Sequence, residues 1–325
     1  MTLPRVGFLG TGWIGRHRME AMVATGAIGV AAICDPSPDC LADALALAPQ
    51  AAVVDSLDAM LALGLDGVVI ATPSALHAEQ AVAALEAGAA VFCQKPLGRS
   101  AAETRRVIDA ARAADRLLGV DLSYRHTEGM RRIAALVRGG TLGEVFAVDL
   151  TFHNAYGPGK PWFFDPAQSG GGCVIDLGVH LVDLALWTLG FPPVADVEAT
   201  LLARGAPLTP STVEDYAVAR FTAGGATVRL ACSWNLNAGR DAVIEAAFYG
   251  TSGGAALRNV AGSFYDFTAQ HFTGTRSDTL AEPPDAWGAR SAAVWAEQLA
   301  ASPRFDPAAD DFVRSAEVLD RIYGR

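Results

Sequence analysis

Asp176 and His180 stand four residues apart, directly after a glycine run, in the stretch Ser169–Asp183 that reads SGGGCVIDLGVHLVD. Helix positions three and four apart are neighbours, so the spacing predicts Asp176, His180 and Asp183 on one helical side. A carboxylate beside an imidazole suits proton transfer, because histidine titrates near neutrality and an adjacent acid orients it and tunes its pKa. Two other readings fit the same pair. It could be a hydrogen bond inside a core, or part of a metal site; the second is disfavoured because no further His or Cys cluster lies nearby, and no metal is expected.

A second group of chemically suggestive residues lies at the N-terminus. Val6–Leu9 is a short apolar run ending in Gly10-Thr11-Gly12-Trp13-Ile14-Gly15; helix-like Arg16–Thr25 follows, then a second apolar run, Ala27–Cys34, ending in Asp35. In such a G-x-G-x-x-G turn Gly10 permits the tight bend, Gly12 lets a pyrophosphate approach the backbone, and Gly15 lets the helix pack closely on the strand. The phosphates then meet a positive helix N-terminus, with Trp13 and Ile14 beside them. Asp35 is placed to accept hydrogen bonds from ribose hydroxyls and to repel a 2′-phosphate, and no Arg follows in Pro36-Ser37-Pro38. NAD is therefore expected in preference to NADP.

The elements that must position these residues alternate. Apolar strands at Ala51–Val54, Gly67–Ala71, Ala90–Cys93 and Leu117–Val120 are interleaved with helix-like segments, including Leu76–Ala87 and Ser100–Arg116. This pattern predicts a parallel sheet with helices on both faces, binding its ligand at the carboxyl ends of the strands. Thr72-Pro73-Ser74 with His77 follows one strand, and Gln94-Lys95-Pro96 follows the next. His77 either supports the start of its helix or touches the cofactor. Lys95 is either a solvated surface charge or a group aimed at the cofactor, and its place between an apolar strand and a proline favours the latter.

A different pattern begins after the turn-rich Gly139–Glu144. Val145–Asn154 is a long strand, a Gly- and Pro-rich loop and the aromatic cluster Trp162-Phe163-Phe164 follow, and the Ser169–Asp183 stretch continues as a helix to Leu189. β-Rich runs near Val194–Ala203, Asp215–Thr222, Ala226–Asn235 and Val243–Tyr249 then succeed one another, which predicts an antiparallel sheet. Arg290–Ala300 and Ala308–Tyr323 are expected as closing helices. His153, Asn154, Tyr156 and Trp162, with Trp234 and Asn235 from a later strand, are candidate substrate contacts, offering polar donors and an aromatic face. Aromatics in a sheet serve equally as core or interface.

The 325 residues suit two domains rather than one core. We place the division at 1–122 for dinucleotide binding and 123–325 for substrate binding and oligomerisation, with the closing helices able to pack back on the first domain. A net charge of −10 with scattered Lys and Arg argues against nucleic acid and anionic membrane surfaces. Five scattered cysteines without a C-x-x-C pair suggest neither disulfides nor a zinc knuckle, and a reducing cytoplasm fits. No export signal is expected at the N-terminus, and no apolar run is expected to reach the ~18 residues of a membrane span.

These residues, in this order, resemble the Gfo/Idh/MocA oxidoreductases. The likeness rests on Gly10–Gly15, Ala71-Thr72-Pro73-Ser74 with His77, Lys95-Pro96, Gly143-Glu144-Val145, and Gly170–Gly172 followed by Asp176, Gly178 and His180. The resemblance implies an α/β chain: an N-terminal Rossmann domain, then a C-terminal α/β domain with a large, mostly antiparallel open sheet that commonly forms a dimer face. A homodimer or homotetramer is expected through that sheet. It also implies that Lys95 sits beside the nicotinamide and the reacting oxygen, with Asp176 and His180 on the substrate side, the two halves meeting across a cleft. One departure stands out: the family usually has Glu before this Lys-Pro, where this chain has Gln94. Tyr124-Arg125-His126 departs more loosely from an Arg, aromatic, Pro pattern and receives no role.

The implied reaction is hydride transfer between a hydroxyl of a sugar, inositol or related polyol and nicotinamide, in either direction. His180 is expected as general base, Asp176 as its orienting group or the holder of a neighbouring hydroxyl, and Lys95 as the donor to the developing alkoxide. Two alternatives on the same fold are a sugar-responsive regulator that binds dinucleotide without turnover and an NAD-retaining glycosidase.

Overall fold

The computed structural model describes residues 2–325. The chain divides into two compact units: the part through Asp121 together with Ala289–Val313, and Leu122–Gly288 together with Arg314–Arg325.

The first unit is built on β1 (Arg5–Leu9), β2 (Gly29–Cys34), β3 (Ala52–Val53), β4 (Gly67–Ile70), β5 (Ala90–Cys93) and β6 (Leu118–Val120). All neighbours pair in parallel in the order β3-β2-β1-β4-β5-β6. β4 and β5 are buried along their whole length, as strands covered on both faces must be. The helices are α1 (Trp13–Ala24), α2 (Pro38–Leu47), α3 (Leu57–Leu61), α4 (Ser74–Glu86) and α5 (Ala101–Ala114). α2 and α3 carry start signals that the apolar pattern overlooks: the hydroxyls of Ser37 and Ser56 accept from Cys40 and Ala59 N–H, and Pro38 opens α2. The strand order reverses between β1 and β4, and their carboxyl ends are where a ligand crevice belongs.

The core around Phe8, Ile33, Val69 and Phe92 is closed by a late segment, the helix Arg290–Ala301, which inserts Trp295. Two sheet glycines leave room for it. A Cβ at Gly67 or Gly119 would lie 2.9 or 2.6 Å from the Trp295 ring.

The second unit holds nine strands: β7 (Val145–Asn154), β8 (Val194–Ala203), β9 (Ala206–Pro207), β10 (Tyr216–Ala223), β11 (Ala226–Ser233), β12 (Ala242–Gly250), β13 (Gly254–Asn259), β14 (Phe267–Thr273) and β15 (Arg276–Ala281). Their order is β15-β14-β13-β12-β7-β11-β10-β8-β9. The sheet is mostly antiparallel, as expected, with one parallel pair at its centre. β7 and β11 run parallel, from Thr227 opposite Ala147 to Ser233 opposite His153. β15 escaped the apolar pattern because it is a polar, largely exposed edge strand. The helices α6 (Glu128–Arg138), α7 (Pro166–Ser169) and α8 (Val179–Leu189) belong to this unit. α8 lies on β7, β11 and β12. Along β10 the side chains alternate between buried and exposed, as in a sheet covered on one face.

One expectation needs correcting. The stretch Pro166–Leu189 contains a window with mean hydropathy 1.5, apolar and long enough by composition to cross a membrane. Burial accounts for it, since 83% of that window lies inside the protein as the core helix beneath the sheet.

Candidate active site

The glycine turn after β1 satisfies each steric demand of a dinucleotide cradle. Gly10 has φ +87°, and a Cβ there would stand 2.6 Å from the Ala71 carbonyl oxygen; at Gly15 it would stand 2.1 Å from the Gly10 carbonyl oxygen. At Gly12 a Cβ meets nothing within 4 Å, so this position faces open space. The first turn of α1 has neither an acidic residue nor a side-chain cap, leaving its N–H groups to an anion. Trp13 is exposed on that turn and stacks on His17, while Ile14 is half-buried. Asp35 is held in place, Oδ2 accepting from Thr11 N–H at 2.6 Å and Oδ1 from Ser37 N–H at 2.9 Å. Open space at the middle glycine, uncapped N–H groups and an anchored carboxylate fit a bound dinucleotide.

Across the strand switch, the Thr72 hydroxyl donates to Gln80 at 2.6 Å, and Pro73 caps α4. His77, expected either to support its helix or to touch the cofactor, is held by the protein's own backbone. It is 1% exposed, with Nδ1 2.7 Å from the Pro96 carbonyl and Nε2 2.8 Å from the Thr72 carbonyl. Burial pushes its pKa down, against the pull of the two carbonyls, and the ring lies between the loops after β4 and β5 with one nitrogen facing each carbonyl. Lys95 is half-buried at the end of β5, between Pro96 and Gln94, whose amide donates to Asp121 at 2.6 Å.

In the second unit the glycine run has an owner that its spacing did not reveal. The Glu214 carboxylate accepts from the N–H groups of Gly172 and Val174, each at 2.9 Å, and from the Tyr323 hydroxyl at 2.7 Å. The Tyr323 oxygen in turn accepts from Ile175 N–H at 3.1 Å. A Cβ at Gly171 would lie 2.1 Å from that oxygen, and one at Gly172 would lie 1.9 Å from the Glu214 carbonyl. These glycines are therefore required by close support from behind. Burial raises the pKa of both Glu214 and Tyr323. The segment then makes one π turn, Val174–Gly178, before α8 begins. Asp176 sits in this π turn, a feature frequent at functional sites, and accepts from the Trp234 indole N–H at 3.1 Å. His180 follows in the first turn of α8, largely buried, its ring edge-on to Tyr124 at 4.9 Å. Asp183, expected beside them, is buried and clasped by both arms of Arg125.

The parallel pairing of β7 and β11 brings two strand ends side by side, so Asn154 and Tyr156 meet Trp234 and Asn235 at one end of the sheet. Asn235 N–H donates to the Tyr156 carbonyl at 3.4 Å, and Leu236 N–H to that of Asn154 at 3.1 Å. Two of the expected contacts have partners within the protein there. Trp234 is 2% exposed, walled by the edges of Phe163 and Phe164, so it orients Asp176 instead of offering a stacking face. His153 lies on the opposite sheet face from its buried neighbour Phe152, because successive side chains alternate; it bonds Ser233 at 2.8 Å and stacks on Tyr216. Burial lowers its pKa. Tyr156 is exposed, its hydroxyl donating to Asp241 at 2.6 Å, and half-buried Trp162 stacks on Phe163 at 3.8 Å. Glu214, Tyr323, Phe163 and Phe164 were not among the expected site residues. Glu214 and Tyr323 lie 42 and 148 residues from the backbone they hold, and no local pattern points to them.

The NAD-binding Rossmann model of an oxidoreductase family matches residues 4–122, and a Gfo/Idh/MocA C-terminal domain model matches residues 130–256. D-glucoside 3-dehydrogenase of Escherichia coli K12 is 32% identical over 78% of this chain and 76% of its own. Among solved structures, GenD2 from gentamicin A biosynthesis in complex with NAD superposes with a TM-score of 0.83 at 25% identity, covering 100% of this chain and 94% of that one. KijD10, a 3-ketoreductase from Actinomadura kijaniata in complex with NADP, gives 0.83 at 23% identity, with coverage of 99% and 98%. With both domain models matched in series and a relative aligned over about three-quarters of each chain, the protein belongs to the Gfo/Idh/MocA family of oxidoreductases and carries its NAD-binding Rossmann domain.

Proposed function

We propose that the protein is a dehydrogenase acting on a ring hydroxyl of a sugar, inositol or related polyol, with NAD⁺ preferred over NADP⁺. The observation that carries this reading is the Asp176–His180 segment, a carboxylate and an imidazole held on a rigid, buried support. The E. coli relative, whose name specifies oxidation at the third position of a glucoside, supports the substrate class.

His180 takes the hydroxyl proton. Asp176, oriented by Trp234, holds the imidazole or a neighbouring hydroxyl. Lys95 donates to the same substrate oxygen and stabilises the alkoxide as it forms. A bound nicotinamide supplies the hydride acceptor. A general base of this kind contributes ~10²–10⁴-fold, and a positioned donor at the oxyanion a comparable factor. Asp35 selects against a 2′-phosphate by charge, since its two backbone hydrogen bonds hold the carboxylate at the end of β2. We also assign the open face of the nine-stranded sheet, where Val218 is exposed, to a homo-oligomer contact, and a reducing cytoplasm to the five free cysteines.

The test is a spectrophotometric screen of alkyl glucosides, aldoses and inositols with NAD⁺ and NADP⁺ side by side, repeated with His180→Ala. Nicotinamide reduction by wild type that vanishes in the variant is expected. Undiminished turnover in His180→Ala removes the base assignment, and a preference for NADP⁺ removes the role given to Asp35. Release of free sugar from a glycoside without added nucleotide identifies the glycosidase instead.

A further inference from the structure

Asp121, just beyond β6, is a buried carboxylate, 1% exposed, for which the reaction above has no use. One of its oxygens accepts from Arg18 Nε and from the Gln94 amide, both at 2.6 Å, and the other from the Ser291 hydroxyl. Its own N–H donates to the Cys93 carbonyl at 2.9 Å. Arg18 belongs to α1, the helix that opens with the glycine turn, and is itself buried. The other titratable groups near this carboxylate are the Cys93 thiol, which burial and Asp121 push well above its ordinary pKa, and His17 beyond Arg18. Gln94 immediately precedes Lys95. On the other side of Lys95, the Pro96 carbonyl is bonded to buried His77 at 2.7 Å. Lys95 thus hangs between two neighbours, each tied to a buried side chain.

We infer that Asp121 is a positioning residue for Lys95 and that it dictates an amide, and not a carboxylate, at position 94. An amide presents an N–H to the Asp121 oxygen. A carboxylate in the same place would set two acids 2.6 Å apart in a buried setting where Asp121 already engages Arg18. Like charges at that separation cannot both remain ionised. One acid must take up a proton or the side chain at 94 must turn away, and the backbone of Lys95 turns with it. The inference deepens the assignment of Lys95 to the reacting oxygen and rests on it.

Three variants test it: Gln94→Glu, Asp121→Asn, and the two combined, which returns the pair to one carboxylate and one amide. Melting at pH 8, without nucleotide or substrate, reads the charge pairing alone. Gln94→Glu is expected to melt about 5 °C lower than wild type, and the double variant to recover most of that loss. Acylation of Lys95 by a succinimidyl ester, read by peptide mass, reads the lysine's setting without turnover. Its rate is expected to change several-fold in Gln94→Glu and to return in the double variant. With an oxidised substrate in hand, kcat is expected to fall ~10–100-fold in Gln94→Glu at little cost in KM, again with recovery. Wild-type melting in Gln94→Glu, or a loss that the double variant does not recover, overturns the charge pairing. Recovered melting with Lys95 reactivity unchanged throughout overturns the positioning role. Failure of wild type to oxidise any polyol overturns the proposed function, while melting and acylation still decide this inference.

Discussion

The two glycine-rich segments solve opposite problems. In the Gly10–Gly15 turn the middle glycine faces open space, so its missing side chain leaves room for something outside the chain. In the Gly170–Gly172 run the missing side chains at Gly171 and Gly172 admit the chain's own Tyr323 and Glu214. The first is a binding feature written within a few residues. The second is a packing feature completed by groups far away in sequence, and what it presents to chemistry is the rigid segment that follows. Glycine richness near a site thus has two causes, and the neighbours of a hypothetical Cβ tell them apart.

The largest test of the contrast is His180→Ala, which is expected to lower kcat by ~10²–10⁴-fold while leaving nucleotide affinity, measured by nicotinamide fluorescence, within about twofold of wild type. A parallel loss of nucleotide binding would collapse the distinction between the two segments. Next come the glycines. Gly172→Ala forces a methyl into the Glu214 carbonyl and is expected to cost about 3 kcal/mol or more in urea unfolding. Gly12→Ala, with nothing to strike and a φ of −58°, should change stability by less than about 1 kcal/mol yet weaken NADH binding at least tenfold. Equal destabilisation by both would sink the comparison.

Smaller effects sharpen it. Trp234→Phe keeps an aromatic ring but removes the N–H that holds Asp176, a bond to a charged group worth about 1.5–3 kcal/mol, and leaves a gap in a buried site; kcat should fall about tenfold and melting should fall by several degrees. The smallest is a pH slope. Burial raises the pKa of Glu214 above its ordinary 4.5, so its contribution to stability is full below that value and is lost as pH rises through the raised pKa. Glu214→Gln keeps an acceptor for Gly172 and Val174 but cannot titrate. The gap in unfolding free energy between wild type and variant, measured in urea, should therefore move against wild type as pH rises above 4.5, by at most about 1.4 kcal/mol per unit. A gap that stays flat would mean Glu214 does not titrate with a raised pKa.

Much of the first unit was legible in order because its signals are local. Apolar runs four to six residues long, the glycine spacing and the acid at the end of β2 each declare themselves within a few positions. α2 and α3 were given no bounds although Ser37 and Ser56 announce their starts, a matter of weighting apolar period above caps. In the second unit Val145–Asn154 and Val194–Ala203 were found at their true bounds. The polar edge strand β15 was missed, and so were β13 and β14. His153 and Asn154 looked alike as neighbours at a strand end, yet the pleat sends them to opposite faces, and only the placement of α8 says which face is occupied.

The sequence by itself determined the dinucleotide turn and the family, and singled out Asp176 and His180 as a candidate pair, because each depends on residue type and short spacing. Only the tertiary structure decided what holds them: Glu214 and Tyr323 behind the glycines, Trp234 on Asp176, and Asp121 against Gln94. These supports are buried polar groups whose cost of desolvation is met by partners 27 to 148 residues away, and partners at that range leave no periodic trace in the chain.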